Sequence, residues 1–265
     1  MKTIKIGMVA ALAFALLTPA IASAQARPKV DNAAHKKGME AAAGVITGAG
    51  VNCASPDAYF IGEQKDAKAK TTTSYYELAC QSAPGLVIQK TAGSDGDKYA
   101  PFSCLAFEAP GPDGKPHNMR CRLPGNENVA AGLIPLIAKG GGSCTPTKAR
   151  MIGSSATNAY FEVACDNNRG LIVAATNTLD PAKDVSVTTC LNYEPGGNIE
   201  CTLTPRATLL AIADPLAQKA EASCTVKDRR FIVSNKAGDE YYEVACNDGK
   251  GFVVVADAKG AFKEK

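Results

Sequence analysis

The chain has 265 residues, a net charge of +3, 10 cysteines, 2 histidines and no tryptophan. Nucleic-acid binding needs a concentrated basic surface, so this nearly neutral charge argues against a nucleic-acid partner. The cysteines include no Cys-x-x-Cys pair and the histidines are few, so the usual patterns of zinc and redox sites are missing, and we expect no metal or cofactor.

The first 24 residues have the layout of a secretory signal peptide. The basic start MKTIK leads into the apolar run IGMVAALAFALL, and the small residues AIASA follow. This run is about a dozen residues long, whereas a membrane-spanning helix needs about twenty, so we expect no membrane span. Loss of Lys2 and Lys5 with the signal peptide would lower the net charge by two, to +1. We therefore predict an exported protein, periplasmic or secreted.

A hexapeptide recurs three times along the chain, as YYELAC at 75–80, YFEVAC at 160–165 and YYEVAC at 241–246. A glycine follows five positions after each of its cysteines, and an isoleucine follows eight positions after the cysteine that precedes each hexapeptide. The spacing predicts two and a half copies of one unit of about 80 residues. We place the signal peptide at 1–24, unit one at 25–125, unit two at 126–205 and a shortened unit three at 206–265.

Each unit is predicted to contain a short helix followed by about five strands. The segments 35–50, 129–140 and 206–220 have helical composition or spacing. The hexapeptide alternates as a strand, with Tyr242, Val244 and Cys246 on one face, and we expect the following glycine to form a hairpin turn. The predicted fold class is therefore α+β, with small disulfide-stabilised repeats of a helix and an antiparallel sheet.

An even number of cysteines outside the reducing cytosol indicates a disulfide framework. Unit three keeps only Cys224 and Cys246, so cross-links inside units would join these two, and equivalence extends the scheme to the other units. The predicted bonds are Cys53–Cys80, Cys104–Cys121, Cys144–Cys165, Cys190–Cys201 and Cys224–Cys246. The alternative joins the third cysteine of one unit to the first cysteine of the next.

The recurring hexapeptide also supplies the candidate site residues. The possible binding surface, for instance for stacked sugar rings, consists of Tyr75, Glu77, Tyr160, Glu162, Tyr241 and Glu243. The structural alternative pairs each glutamate with a residue on the neighbouring strand. Arg150 and Arg230 could be such partners, whereas unit one has Tyr59 at that position. Proton transfer needs a second group close by, and none recurs with the glutamate, so we favour the structural interpretation and expect no catalytic residue.

The Y-[YF]-E-[VL]-A-C phrase, with its following glycine and spaced cysteines, resembles repeats of uncharacterised exported proteins of the alphaproteobacterial envelope. Some of those proteins have been linked to stalk cross-bands, the periplasmic disks that act as diffusion barriers. The resemblance covers about residues 50 to 260. It implies an assembly component and carries over no catalytic residues.

These observations favour a non-enzymatic structural or protein-interaction module of the bacterial cell envelope. Arrays of small rigid units present extended surfaces, which suit protein partners better than a single small ligand. We therefore expect an envelope protein as the partner. Two alternatives stay open: a module that binds cell-wall glycan or another carbohydrate, and a secreted hydrolase.

Overall fold

The computed structural model describes residues 27–54 and 56–265, and the predicted signal peptide lies outside them. Within these residues the chain is an α+β protein with three four-stranded antiparallel sheets, a few helices and five disulfides. The strands of each sheet lie side by side in chain order, and we call the three sheets first, second and third along the chain. None of the described helices has the length and apolar character needed to cross a membrane.

Helix α1 (Asn32–Ala49) precedes the first sheet, as the composition of this segment predicts. The Asp31 carboxylate accepts a hydrogen bond of 2.9 Å from the Ala34 N–H at the start of α1, and Gly50 ends the helix with a φ of 61°. The strands of the first sheet are β1 (Asp57–Asp66), β2 (Thr71–Cys80), β3 (Ala83–Ala92) and β4 (Lys98–Ser103).

Short helices also precede the second and third sheets. Pro135 and Pro215 lie in the first turns of two of them, where a missing N–H breaks no helical hydrogen bond. Helix α2 (Ile134–Lys139) precedes β5 (Pro146–Ser154), β6 (Asn158–Cys165), β7 (Gly170–Thr176) and β8 (Val185–Thr189). Helices α3 (Arg206–Leu210) and α4 (Ala213–Ala220) precede β9 (Val226–Ser234), β10 (Glu240–Cys246), β11 (Gly251–Ala256) and β12 (Phe262–Glu264).

Each sheet has four strands, and the expectation of about five is wrong. After β4 and β8 the chain turns away from the sheet in short 3-10 helices, Cys104–Phe107 and Cys190–Asn192. The hydroxyls of Ser103 and Thr189 begin these turns by accepting hydrogen bonds from the N–H groups two residues ahead, at 3.2 and 3.4 Å. We call residues 104–126 and 190–206 the first and second cover segments, because each then crosses its own sheet.

The glycine after each hexapeptide lies in a strand, so the prediction of a turn there is wrong. Gly85 lies inside β3, and Gly170 and Gly251 begin β7 and β11. A Cβ on Gly85 would lie 2.8 Å from Cys104 Sγ, and one on Gly170 would lie 3.0 Å from Cys190 Sγ. The missing side chain therefore lets a disulfide of the cover segment approach the strand.

The hexapeptide strands alternate as predicted. In β10 the side chains of Tyr242, Val244 and Cys246 are buried, whereas Glu243 points to the opposite face and is exposed. We call the face that carries the glutamates the outer face of each sheet, and the opposite face the inner face.

Two hydrophobic cores connect the sheets. One core joins α1 and α2 to the inner faces of the first and second sheets. The other joins residues of α3 and α4 to the inner face of the third sheet, and it includes Ile172 from the outer face of the second sheet. The second sheet is therefore packed on both faces.

Five disulfides link neighbouring segments of the chain. The bonds are Cys53–Cys80, Cys104–Cys121, Cys144–Cys165, Cys190–Cys201 and Cys224–Cys246. This is the pairing that the two cysteines of the third segment predict, and no described cysteine is free. Disulfides in this number are typical of proteins outside the reducing cytosol.

Candidate functional site

The three recurring glutamates occupy equivalent positions on the second strands of their sheets. On the preceding strand, Glu77 lies opposite Tyr59, Glu162 opposite Arg150 and Glu243 opposite Arg230. On the following strand, the glutamates lie opposite Val87, Ile172 and Val253. Because the surrounding strands match, differences in exposure must come from what lies above each sheet.

Glu77 is fully buried beneath the first cover segment. Its carboxylate accepts hydrogen bonds of 2.8 Å from each of three donors: the backbone N–H groups of Arg122 and Leu123 and the side-chain amide of Asn126. Burial raises the pKa of the Glu77 carboxyl, and the hydrogen bonds from Arg122, Asn126 and Leu123 oppose that rise. The carboxylate is thus directed at the backbone of its own chain.

Glu162 holds the second cover segment in the same way. Its Oε1 accepts hydrogen bonds of 2.6 Å from the backbone N–H groups of both Thr202 and Leu203. Arg150 donates from Nε to Glu162 Oε2 at 2.5 Å and from Nη2 to the Glu200 carbonyl oxygen at 2.7 Å. The glutamate and the arginine therefore bind consecutive peptide groups of one segment without regular secondary structure, residues 200–203.

Glu243 has no such segment above it among the described residues. It forms an ion pair with Arg230, and its side chain is 48% exposed, whereas that of Glu162 is 1% exposed. Val253, its neighbour on β11, is 39% exposed, whereas the equivalent Val87 is completely buried. The outer face of the third sheet is therefore open.

The tyrosines of the predicted binding surface are half-buried on the outer faces. Tyr75 packs against the apolar cluster beneath the first cover segment, and Tyr160 lines a shallow surface cavity with Arg150 and Thr202. The second aromatic residue of each hexapeptide is buried on the inner face, as strand alternation predicts. Of the three candidate carboxylates, only Glu243 is exposed to a ligand.

Two groups bring a glutamate within 4.8 Å of two cysteine sulfurs: Glu77 with Cys104 and Cys121, and Glu162 with Cys190 and Cys201. Both cysteine pairs are disulfides, which lack the thiolate that binds metal ions. Each glutamate lies close to a disulfide because it binds the cover segment that contains this disulfide.

The two histidines contact partners outside the hexapeptides. His35 Nε2 lies 2.6 Å from Asp57 Oδ1, and both side chains are partly exposed. His117 Nδ1 accepts a hydrogen bond of 3.2 Å from the Met119 N–H, and its ring packs on Phe107. These contacts stabilise local structure at α1 and within the first cover segment.

Sequence reasoning anticipated the partners of the glutamates on the neighbouring strand but missed those in the cover segments. A leucine two positions after Cys121 and Cys201, Leu123 and Leu203, was the available signal. The donors are mainly backbone N–H groups, however, and these have no signature in a sequence.

A buried ion pair between the second and third sheets was also missed. Arg169 Nη2 lies 2.7 Å from Glu240 Oε1, with the two side chains 5% and 2% exposed. Arg169 also donates to the Ala258 carbonyl oxygen at 2.6 Å, and the Tyr242 hydroxyl donates to Glu240 Oε2 at 2.6 Å. Burial raises the pKa of Tyr242, so its hydroxyl keeps the proton it donates. The network fixes the third sheet against the second.

No protein-family model, curated protein or solved structure matches this chain. The interpretation of the site therefore depends on the geometry of its residues.

Proposed function

We propose that this chain is an exported, non-enzymatic structural or protein-interaction module of the bacterial cell envelope. On this proposal it consists of two and a half copies of one disulfide-linked unit and resides in the periplasm or is secreted. The five disulfides support the exported location.

The proposal rests mainly on the hydrogen bonds that the recurring carboxylate accepts. Glu77 and Glu162 are the residues most suggestive of chemistry, and both bind the backbone of their own cover segments. A catalytic carboxylate must reach a substrate, and these two would have to lose several hydrogen bonds to do so. Their recurrence is explained by the folding of each unit, without a reaction.

A protein partner fits the surface better than a small ligand does. The large apolar side chains exposed among the described residues are spread over the molecule, at Val30, Met39, Phe102, Ile134, Ile232, Val233 and Val253. The three sheets are joined by shared cores and by the Arg169–Glu240 ion pair, which favours a rigid extended surface. The resemblance to exported envelope repeats implies the same role, that of an assembly component.

Site-specific photo-cross-linking in intact cells tests this function. A photoreactive residue would replace Met39, Ile134 or Ile232 in the full chain, since these positions lie on different helices and sheets and are exposed. We expect repeated recovery of the same envelope protein from at least one position. Recovery of nothing above background from all three positions would contradict the function.

The glycan alternative is tested on the purified protein with washed cell-wall sacculi. On the proposed function the protein stays in the supernatant after centrifugation. Saturable co-sedimentation that soluble wall fragments compete away would replace the proposed function with glycan binding.

A further inference from the structure

The outer face of the third sheet keeps the residues that bind a cover segment in the second sheet. Glu243 and Arg230 lie opposite each other in the register of Glu162 and Arg150. Both are more exposed than their counterparts: the Arg230 side chain is 74% exposed and that of Arg150 is 39% exposed. The binding groups are thus present, and no described residue covers them.

The glycine that makes room for a cover segment is also kept. A Cβ at Gly170 would lie 3.0 Å from Cys190 Sγ and 3.1 Å from Leu209 Cδ2, so a side chain there would crowd both atoms. A Cβ at Gly251 would meet nothing closer than the Val244 carbonyl oxygen at 3.5 Å. Nothing in the described fold therefore requires glycine at 251, and its presence leaves space for a chain crossing this face.

We propose that the outer face of the third sheet binds a segment of a partner protein that lacks regular secondary structure, held as the second sheet holds residues 200–203. The proposal rests on the proposed function and deepens it by naming the chemistry of the partner.

The contacts of the second sheet define that chemistry. Arg150 donates to one backbone carbonyl, at Glu200, and Glu162 accepts from two consecutive backbone N–H groups, at Thr202 and Leu203. A segment on the third sheet would accept from Arg230 and donate two successive N–H groups to Glu243. Proline at either donor position would prevent binding, because proline has no N–H.

The first sheet shows which side chain such a segment inserts. Leu123 is fully buried against Tyr59 and Ala79, with the partly buried Ile61 beside them. On the third sheet the residue equivalent to Ile61 is Ile232, which is 46% exposed, and Val253, opposite Glu243 on β11, is also exposed. A leucine after the first donor N–H would cover this apolar surface, and its burial would favour binding.

A labelled peptide of residues 190–206 of this chain, closed by the Cys190–Cys201 disulfide, provides a probe of defined chemistry. Titrating it with the purified full chain and following fluorescence anisotropy should show saturable binding. Glu243→Gln should weaken binding about tenfold or more, because charge-assisted hydrogen bonds are lost. N-methylation of the peptide at Thr202 and Leu203 should weaken binding to the same extent, since it removes the two donors.

Two controls separate binding at this face from general effects. Glu243 is exposed, so Glu243→Gln should unfold at the temperature of the wild type, which circular dichroism checks. Glu40→Gln removes the same charge from α1, where the side chain is 67% exposed, and should leave binding unchanged.

Absence of binding at millimolar protein would overturn the proposal, and so would binding that neither Glu243→Gln nor N-methylation weakens. Self-association of the chain that Glu243→Gln abolishes would overturn it in favour of a second copy as the occupant. If the peptide fails while photo-cross-linking from Met39 or Ile134 returns an envelope protein, the open face is rejected and the proposed function stands. If the peptide binds but no cellular partner is captured from any position, the envelope function is rejected.

Discussion

The second and third sheets place the same three groups on their outer faces in opposite environments. Around Glu162, Arg150 and Gly170 the chain returns across the sheet and uses every group, whereas around Glu243, Arg230 and Gly251 the face is open. The hexapeptide is therefore one half of an internal binding site. Its other half is the cover segment, which is a run of backbone N–H groups anchored by a disulfide.

The largest effect is expected from removing a covalent link that the second sheet has and the third lacks. The double substitution Cys190→Ala/Cys201→Ala removes the disulfide that anchors the second cover segment. It should lower the free energy of unfolding by about 3 kcal/mol through loop entropy alone. Urea unfolding followed by circular dichroism measures the change.

The disulfide-free protein also tests whether the cover segment depends on Glu162. Without the disulfide, the cover segment is still held by its hydrogen bonds to Glu162 and Arg150, so Glu162→Ala should cost at least as much there as it does with the disulfide present. A cost of Glu162→Ala that nearly vanishes in the disulfide-free protein would contradict the role of Glu162 in holding the segment.

A smaller effect is expected from the glutamates themselves. Glu162→Ala leaves two N–H groups and Arg150 without their acceptor and should cost about 2–3 kcal/mol. Glu243→Ala removes one exposed ion pair and should cost less than about 1 kcal/mol. Equal costs in urea unfolding would show that the environments of Glu162 and Glu243 do not differ as described.

The glycines allow a test that leaves every polar group in place. Gly170→Ala should destabilise the protein by about 1–3 kcal/mol, because the added methyl group crowds Cys190 Sγ and Leu209. Gly251→Ala should be neutral or stabilising by about 0.5 kcal/mol, since alanine fits the space and restricts the unfolded chain. Thermal unfolding of the two variants measures both changes in stability. Equal losses of stability would contradict the difference described between Gly170 and Gly251.

The smallest effect concerns pH and the first sheet. Burial raises the pKa of Glu77 above its ordinary value of 4.5, so the folded state holds this proton more tightly than the unfolded state. The contribution of Glu77 to stability should therefore fall as pH rises through the window above 4.5. Relative to Glu77→Gln, the wild type should lose stability from pH 4 to pH 7, and a constant or increasing difference would contradict the assigned direction.

Patterns of side chains in the sequence predicted much of the fold. The three hexapeptides and the two-cysteine third segment predicted the hexapeptide strands and the disulfide pairing, because alternation and cysteine spacing are encoded in residue types. The cross-strand partners Arg150 and Arg230 were accessible for the same reason.

The parts that were missed involve groups without a pattern. Hydrogen bonds from the backbone of Thr202 and Leu203 to Glu162 can be made by nearly any residue, so spacing could not reveal them. The glycines were assigned to turns because turn chemistry is their commonest use, whereas here a disulfide approaches the strand. Arg169 and Glu240 have no counterparts at the equivalent positions of the other sheets, and only the packing of two sheets brings them together.

Amide hydrogen exchange at Thr202 and Leu203 tests most directly whether the recurring glutamate serves to hold the backbone of its own chain. In the native protein both amides should be protected, and Glu162→Gln should speed their exchange while amides in β10 of the third sheet keep their rates. Exchange at Thr202 and Leu203 that is fast in the native protein, or that the substitution leaves unchanged, would contradict the account.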